Sequence, residues 1–503
     1  MRDSLTRRHF LQTSAVLGLG VGLPADVWAI TPDQPEELTV RPDAVCLRPE
    51  IEPVVSWIED TPRDRILEVA VAHLKRGLSY RQLLAGLFLA GIRNIQPRPV
   101  GFKFHAVLVI HSAHVLGQSA AQDERLLPLL FALDTFKASQ AADVKEGDWA
   151  LGPVLEGQVP PAWLAKDQFI AAMESWDADA ADLATVALCR SYGAAEVMEL
   201  FWRFAIRDQR NIGHKAIFAA QAWRTLQAIG WQHAEPVLRS LAFGLLDRQG
   251  APGFDVVGPY RENVDLAEQF PGSWITGVED RAASDHLLAD LRQASSRAAG
   301  AYLQEYVNGG IHPAGIWDGL LKAANELLLR KTGIISLHAV TAVNALHYIF
   351  GAAADEQTRR LALLQAASWI ALFREALGDA PAWHLNELEP SPIPRSADEA
   401  VADIFATIGV NRRDAAGKTL AFLAQGGSNE TLFAAARRMI FLKGTDSHDF
   451  KFGAAAWEES LLASTPRTRS LLTAGMMGYL PASTTADSPL MNRAREAVAN
   501  GLK

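Results

Sequence analysis

Apolar residues recur every three or four positions along almost the whole chain, the spacing that lines one face of an α-helix. Residues 66–74 read ILEVAVAHL, and residues 361–377 keep the same spacing over about five turns. Alanine and leucine dominate these segments, whereas the alternating valine, isoleucine and threonine runs that are typical of strands are scarce. The pattern predicts an all-α, multi-helical protein.

Clusters of proline and glycine interrupt the helical pattern and mark the ends of its segments. They lie at 97–99, 152–153, 250–258, 309–310 and 390–394. The proline-rich residues 30–60 predict an extended N-terminal arm, and residues 251–280 predict a longer irregular connection. We therefore expect a single helical domain over residues 61–503, with halves at about 61–250 and 281–503.

Two short sequences occur twice in the same order. HAVLVIHSAH at 105–114 and HAVTAVNALH at 338–347 share one pattern, and DTFK at 134–137 is echoed by HDFK at 448–451. A repeated order of this kind is typical of a chain built by internal duplication. It predicts that the two halves are pseudo-equivalent, with matching histidine-rich helices.

One apolar stretch contains a lysine and a histidine seven residues apart, Lys331 and His338. On a single α-helix that interval is two turns, so both side chains would project from the same face about 10 Å apart. Ile334, Ile335 and Leu337 would draw this face into the core. A buried cation and a buried imidazole need a compensating partner, and a metal site is one arrangement that supplies it.

The N-terminus carries a targeting pattern that must be kept apart from the fold. TRRHFLQ at 6–12 is a twin-arginine export motif, a short apolar stretch follows at 15–23, and VWA at 27–29 resembles a cleavage site. We therefore expect a signal peptide at residues 1–29, passage through the twin-arginine translocase, and a periplasmic or extracellular mature protein. That route carries folded proteins, which suits a protein that acquires its metal before export.

Composition and motifs narrow the remaining function classes. The net charge of −9 argues against a nucleic-acid partner, and the mature chain lacks the run of about 18 apolar residues that a membrane span needs. The chain has no Cys-x-x-Cys, so a cysteine zinc site and an iron–sulfur cluster lack their ligands, and whether Cys46 and Cys189 pair stays open. No Gly-x-Gly-x-x-Gly or Gly-x-Ser-x-Gly occurs, so we expect neither a bound nucleotide nor a serine nucleophile.

The chain has thirteen histidines, which are the main candidates for metal ligands. Their positions around a helix indicate which of them can face the same ion. His105 and His114 lie nine residues apart, half a turn out of phase, so a straight helix cannot direct both at one ion. His338 and His347 repeat that interval. We expect His105 and His338 to face inward, with His111 as the chief rival and with His114 and His347 packed elsewhere.

Two further histidines stand in patterns of their own. His214 follows a glycine and opens the apolar run HKAIFAAQ, and His448 lies in DSHDFK, where Asp446 or Ser447 would also cap a helix. A ligating imidazole usually donates its other N–H to a carboxylate, and the candidates for this role are Glu326, Asp134, Asp148, Glu235 and Asp318. For each carboxylate, a surface or capping role is the alternative.

Taken in order, four of these patterns resemble the questin oxidase-like proteins, over about residues 100–480. The matching segments are the histidine-rich helix at 105–117, the Gly-His turn at 213–214, the lysine-to-histidine stretch at 331–341, and DSHDFK at 446–451. The chain departs from the family at Phe218, where a histidine is common, and at 333–335, where Gly-Ile-Ile replaces Asp-Phe-Phe.

The resemblance implies oxidative chemistry on aromatic polyketides, such as anthraquinone ring opening or Baeyer–Villiger-type oxidation. It also implies a non-haem iron held by four histidines and a carboxylated lysine. Carried onto this chain, the ligands would be His105, His214, His338 and His448 together with Lys331. A carboxylated lysine offers a hard oxygen ligand and removes the cost of a buried ammonium.

We therefore predict an exported, O₂-dependent oxidoreductase, a monooxygenase or dioxygenase, that uses Fe(II) on a small organic substrate, with Lys331 and Glu326 in catalytic roles. Zinc or copper at the same site would instead support hydrolysis or metal binding. A third interpretation retains the fold as a non-catalytic periplasmic binding or scaffold protein with structural histidines.

Overall fold

The structure is a computed structural model that describes residues 41–248, 258–280, 282–382 and 384–502. The predicted signal peptide at residues 1–29 lies outside these residues. Within the described ranges the secondary structure is helical, without a strand and with one isolated bridge between Val278 and Ile311. The prediction of an all-α, multi-helical fold is therefore confirmed.

The α-helices up to residue 248 are α1 Glu52–Asp60, α2 Ile66–Lys75, α3 Tyr80–Asn94, α4 His105–Leu108, α5 Ile110–Gln118, α6 Leu127–Lys145, α7 Ala162–Ser175, α8 Ala178–Ser191, α9 Ala194–Ala205, α10 His214–Ile229 and α11 Ala234–Leu245. Those from residue 258 onward are α12 Gly258–Glu268, α13 Ala283–Leu291, α14 Ala298–Asn308, α15 Pro313–Arg330, α16 Ile334–Ala352, α17 Glu356–Leu377, α18 Ala397–Thr407, α19 Arg412–Ala424, α20 Asn429–Lys443, α21 Ser447–Leu462, α22 Pro466–Gly475 and α23 Pro489–Gly501.

Two stretches that the sequence predicts to be irregular contain helices. The predicted arm at 30–60 ends in α1, whose Val54, Val55 and Ile58 are buried and which packs against α3. Its proline lies in the first turn, where a helix tolerates the missing N–H. The predicted connection at 251–280 contains α12, which packs against α17. Both predictions are wrong over these helices, because proline and glycine near a helix start were taken as signs of irregular chain.

Four helical elements enclose the part of the core that holds the candidate site. These are α4 with α5, then α10, α16 and α21, and each contacts the next: α5 with α10, α10 with α16, α16 with α21, and α21 with α5. Their N-terminal ends meet at one end of the group. Gln221 on α10 lies seven residues after His214, and Ser112 on α5 lies seven residues after His105. Gln221 donates to the Ser112 hydroxyl at 3.3 Å, so residues at equal distances from the two helix starts are in contact.

Helix α16 is a core helix of this arrangement. By length and composition alone it could cross a membrane, but 67% of its apolar window is buried inside the protein. It packs against α10, α15, α17 and α21, which accounts for its apolar sequence. The matching segment of the N-terminal half is not one continuous helix, since Val109 separates α4 from α5. The pseudo-equivalence of the two halves stays a prediction.

The two cysteines do not form a disulfide. Cys46 is exposed, Cys189 is half-buried, and both thiols are free. Burial raises the pKa of the Cys189 thiol, which makes it a weak nucleophile.

Candidate metal centre

Histidines from all four elements converge at the N-terminal end of the group. The ligand nitrogens of His105, His214, His338 and His448 lie within 4.8 Å of one another. Nε2 of His214 is 3.0 Å from Nε2 of His105 and 3.0 Å from Nε2 of His338. The His448 ring stands 4.4 Å from the His105 ring and 5.0 Å from the His338 ring, measured between centroids. Three of the four side chains are buried, and His105 is partly exposed.

Strained backbone delivers His214 to this point. Asn211, Ile212 and Gly213 have consecutive positive φ angles of 56°, 51° and 83°, and α10 begins at the next residue. A Cβ atom on Gly213 would come within 2.6 Å of the Ala342 side chain, so glycine lets α10 start in close contact with α16. A positive φ is rare for a β-branched residue such as isoleucine, and strain of this kind is concentrated at functional sites.

The loop before His105 approaches the His214 ring equally closely. Gly101 has a φ angle of 117°, and a Cβ atom there would lie 3.0 Å from Nδ1 of His214. Phe102 follows with a φ angle of 48°. The His214 imidazole therefore packs against bare backbone, in space that any side chain at position 101 would fill.

The helix cap of α21 holds His448. The Asp446 carboxylate accepts from the backbone N–H of His448 at 2.8 Å, and the same carboxylate oxygen also meets Nδ1 of the His448 ring. Asp449 accepts in return from the backbone N–H groups of Thr445 and Asp446 at 3.0 and 3.2 Å. The predicted cap is confirmed, and its aspartate also orients the imidazole. The contact with His448 lowers the pKa of the Asp446 carboxyl, which keeps it ionised.

The hydrogen bonds at Nδ1 fix the tautomers of the other three rings. The Nδ1 atoms of His105, His214 and His338 lie 2.7, 2.5 and 2.7 Å from the carbonyl oxygens of Phe102, Asn211 and Ile334. A carbonyl oxygen only accepts, so each Nδ1 carries the proton and each Nε2 carries a lone pair. The Nε2 lone pair of His214 therefore faces those of His105 and His338, each across 3.0 Å.

A shared proton does not resolve this repulsion at neutral pH. Burial, reinforced by neighbouring positive groups, lowers the pKa values of His105, His214 and His338 well below the usual range. Nitrogens about 2.1 Å from one metal stand about 3.4 Å apart in tetrahedral coordination and about 4.2 Å apart across an octahedron. The observed closest and widest spacings, 3.0 and 4.8 Å, bracket these values. The four-histidine group is thus able to bind a metal ion.

A buried lysine for which the sequence predicted no role, Lys451, lies beside the group. Lys451 stands one turn after His448 on α21 and is 2% exposed. Among the described residues its Nζ has no hydrogen-bond partner, and neither does Nε2 of His448. Burial lowers the pKa of Lys451 to about 7, against the raising influence of Asp446. The three-residue spacing in DSHDFK, which places both side chains on one helix face, could have identified it.

Lys331 does not lie in the cluster, contrary to the prediction. It is exposed, and its Nζ donates to the carbonyl oxygens of Leu377 and Asp379 at 2.9 and 3.4 Å. Lys331 follows the last residue of α15, whereas α16 begins only at Ile334, so the two-turn geometry of a single helix does not apply. Ile334, which was expected to face inward, is 47% exposed.

Glu326, predicted to be catalytic, belongs to a buried ion pair instead. Arg292 donates to both of its carboxylate oxygens at 2.8 and 2.7 Å, and the backbone N–H of Leu385 donates to one of them at 2.8 Å. The other four candidate carboxylates bond elsewhere: Asp134 to Arg63, Asp148 to Arg41, Glu235 to Arg190 and Asp318 to Ser464. Within the described residues, Asp446 is the carboxylate that supports a cluster histidine.

The three rival histidines lie outside the cluster. His111 and His114 face each other with ring centroids 6.0 Å apart, and Nδ1 of His114 is 3.2 Å from the Tyr80 hydroxyl. Nδ1 of His347 is 2.7 Å from the Glu459 carboxylate, and its ring stacks on Trp317 at 4.4 Å. The predicted separation of His105 from His114, and of His338 from His347, agrees with this arrangement.

Comparisons with known proteins do not identify the chain. No protein-family description, curated protein sequence or solved structure matches it. The geometry of the site is therefore the basis for assigning a function.

Proposed function

We propose that this protein is an exported metalloenzyme that uses a mononuclear non-haem iron and O₂ to oxidise a small organic substrate. The observation that carries the proposal is the convergence of three Nε2 lone pairs, in which His214 Nε2 lies 3.0 Å from each of the other two with no proton to share. A cation at their centre converts mutual repulsion into four attractive contacts. A scaffold with structural histidines would be expected to give each ring nitrogen a complementary partner, as buried polar groups in proteins usually have.

Lys451 supports iron as the metal. Four imidazoles suit zinc, copper or iron alike, whereas an added oxygen ligand with an open position is more typical of a non-haem iron site. The neutral Lys451 amine can add carbon dioxide, forming an N–C bond and releasing one proton, which gives a carbamate. The resemblance to the questin oxidase-like family implies such a lysine, and the buried amine at 451 suits that role far better than the exposed one at 331.

Charge balance favours the same assignment. Four neutral imidazoles bring no negative charge to a divalent cation, and Asp446 is the carboxylate that contacts a cluster ring among the described residues. A carbamate on Lys451 would add a further negative charge. It would also lie near the N-terminal ends of the helices, where the partial positive charge of the backbone dipoles stabilises an anion. Iron, when bound, would supply the one-electron steps that O₂ chemistry requires.

The organic substrate would approach at His105, the partly exposed member of the cluster. Beside it, Phe102 carries a ring that is 73% exposed, and its carbonyl oxygen holds Nδ1 of His105. An exposed aromatic ring next to a half-open site offers an apolar contact to a planar substrate. This feature supports an aromatic substrate class.

Elemental analysis of the protein purified after its own export tests the proposal. We expect about one iron per chain, and O₂ uptake that requires this iron. Zinc without O₂ uptake would support the hydrolase alternative, and no stoichiometric metal would support the scaffold. Substitution of His214, the ring that meets two neighbours, tests the site: His214→Gln should abolish metal retention while circular dichroism stays helical.

Native mass spectrometry in bicarbonate buffer tests the carbamate separately. We expect the metal-loaded protein to carry the added mass of one carbon dioxide, and Lys451→Met to lack it. Lys331→Met is the matched control and should retain the added mass. An adduct that persists in Lys451→Met would show that the modified lysine is a different one.

Export is testable through the twin-arginine motif at 7–8. We expect the double variant Arg7→Lys with Arg8→Lys to remain in the cytoplasm, whereas the native chain reaches the periplasm. Fractionation followed by immunodetection measures the difference. A periplasmic double variant would contradict the assignment.

A further inference from the structure

A small cavity between α10, α16 and α21 has the size and the lining of a water site. Its free space amounts to about one water molecule. A space of this size lined by aliphatic groups stays dry, whereas one lined by polar groups holds water. Polar side chains form most of this lining, namely Gln221, Arg224, Thr341, Asn344 and Lys451.

Two of these side chains carry a buried polar atom without a partner. Among the described residues, neither Nζ of Lys451 nor Oε1 of Gln221 has a hydrogen bond. The amine is a donor and the amide oxygen is an acceptor, so the two atoms are complementary. Leaving either of them unpaired in the interior costs free energy, which a shared partner in the cavity would recover.

The remaining polar side chains of the lining are already bonded. Nη2 of Arg224 and Nδ2 of Asn344 donate to the Glu458 carboxylate at 2.6 and 2.7 Å. The Thr341 hydroxyl donates to the carbonyl oxygen of Leu337 at 3.4 Å, which leaves its oxygen able to accept. The lining therefore offers one donor from the lysine and two acceptors, and a water molecule can bond to all three.

We infer that this cavity binds one ordered water, and that Gln221 acts through this water as a positioning residue for Lys451. The inference rests on the proposed function, in which the Lys451 amine becomes a carbamate. A neutral amine has two N–H groups and one lone pair. Addition of carbon dioxide uses the lone pair and releases one proton, so the carbamate nitrogen keeps one N–H. The water accepts from that N–H before and after addition, and thereby fixes the direction in which the carbamate oxygens lie.

Lys451 and the metal cluster are close enough for this direction to matter. Lys451 lies three residues after His448 on α21, and Thr341 lies three residues after His338 on α16. Three residues of α-helix advance about 4.5 Å, so the water would lie one turn beyond the imidazoles. A nitrogen held from the cavity side leaves the cluster side of Lys451 for the carbamate oxygens.

Crystal structures of the purified protein at high resolution test the water. We expect one ordered water that bonds to Nζ of Lys451 and Oε1 of Gln221, and we expect it to be lost in Gln221→Met, which has a similar length and no amide oxygen. Gln227→Met is the matched control on α10, because Gln227 lies outside the cavity and accepts from the Tyr348 hydroxyl at 3.2 Å. A dry cavity in the native protein would overturn the inference, as would a water that keeps its place in Gln221→Met.

Titration with ¹³C-labelled bicarbonate tests the positioning role, with the carbamate carbon observed by NMR. We expect Gln221→Met to weaken carbon dioxide binding at Lys451 by about tenfold, the effect of one net hydrogen bond, at an unchanged circular dichroism spectrum. Gln221→Glu keeps an acceptor oxygen and should bind carbon dioxide more tightly than Gln221→Met. Equal affinities in Gln221→Met and the native protein would overturn the role of Gln221. A native protein that forms no carbamate would refute that part of the proposed function together with the positioning role, and the crystal structures would still decide the water.

Discussion

Two groups of histidines lie along the same helical elements and differ in what their ring nitrogens meet. In the inner group, the four cluster histidines direct Nε2 toward one another, with closest contacts of 3.0 Å. In the outer group each ring meets a different kind of residue: His347 meets Glu459, His114 meets Tyr80, and His111 lies beside Gln221. The outer histidines have complementary partners within the protein, whereas the inner ones form a group that is able to bind a metal ion.

The difference teaches that sequence context alone does not identify a ligand. His338 and His347 lie nine residues apart on α16, and the same interval separates His105 from His114 across α4 and α5. The pKa values of the two α16 histidines move in opposite directions. Burial lowers the pKa of His338. For His347 burial is outweighed only by the charge and hydrogen bond of Glu459 together with the nearby carboxylates of Glu458 and Asp318, so its pKa is raised. The groups around each imidazole, more than the helix that carries it, therefore determine its protonation.

The largest expected effect comes from making the same substitution at each of the two α16 histidines. His338→Gln removes an inner imidazole and should lower metal affinity by more than about 100-fold, beyond what loss of a supporting residue causes. His347→Gln on the same helix should retain about one metal per chain. Elemental analysis after gel filtration measures both. Equal metal loss in the two variants would remove the distinction between the groups.

The carboxylate that orients the inner group should have the next largest effect. Asp446→Asn removes the charged acceptor at Nδ1 of His448 and should weaken metal binding by about 10- to 100-fold. Competition with a chromophoric chelator measures the affinity. Asp449→Asn is the control because Asp449 belongs to the same cap without contacting the ring, and it should cost helix stability rather than metal affinity. A larger metal defect in Asp449→Asn would refute the role of Asp446.

In the outer group, the ion pair between His347 and Glu459 should make the free energy of unfolding depend on pH. The pKa of His347 is raised in the folded protein, so its contribution is present below about pH 6.5 and is lost as pH rises through the folded pKa. His347→Gln should lower the free energy of unfolding by about 1–3 kcal/mol near pH 6 and flatten this decline. Denaturant unfolding of the metal-free protein across a pH series measures it. Parallel curves for the variant and the native protein would contradict the ion pair with Glu459.

His114, in the same outer group, should change the free energy of unfolding with pH in the opposite direction. Burial lowers its pKa to about 4, so the folded state holds it neutral. Its stabilising contribution is therefore complete above about pH 6.5 and is lost as pH falls toward 4. His114→Gln should reduce the acid sensitivity of the same unfolding curves.

The smallest effect is expected at the lysine that lies outside both groups. Lys331→Met removes an exposed amine that contacts two carbonyl oxygens. We expect a change in the free energy of unfolding within about 0.5 kcal/mol and no change in metal content. Thermal unfolding with parallel metal analysis measures both. Loss of metal in this variant would restore Lys331 as a ligand.

Much of the candidate site could be predicted from local sequence. Because His105 and His114 are half a turn out of phase, the sequence correctly predicted that only one of them faces the cluster. The DSHDFK segment correctly indicated a helix cap at Asp446. Both are properties of a few consecutive residues. The position of Lys331 was wrong because the chain leaves the helix at 331–333, and a single helix was assumed across that break.

The sequence by itself determined the all-α class, the cap at Asp446 and the histidines available to the site, because hydrogen bonding within a helix and its apolar period are local. Only the tertiary structure decided which side chains meet. His105 and His214 are 109 residues apart, and His214 and His338 are 124 apart. Their contact depends on four helix starts packing at one end, which close approaches such as that at Gly213 permit. Burial likewise distinguishes Lys451 from Lys331, since desolvation depends on every helix packed around an amine.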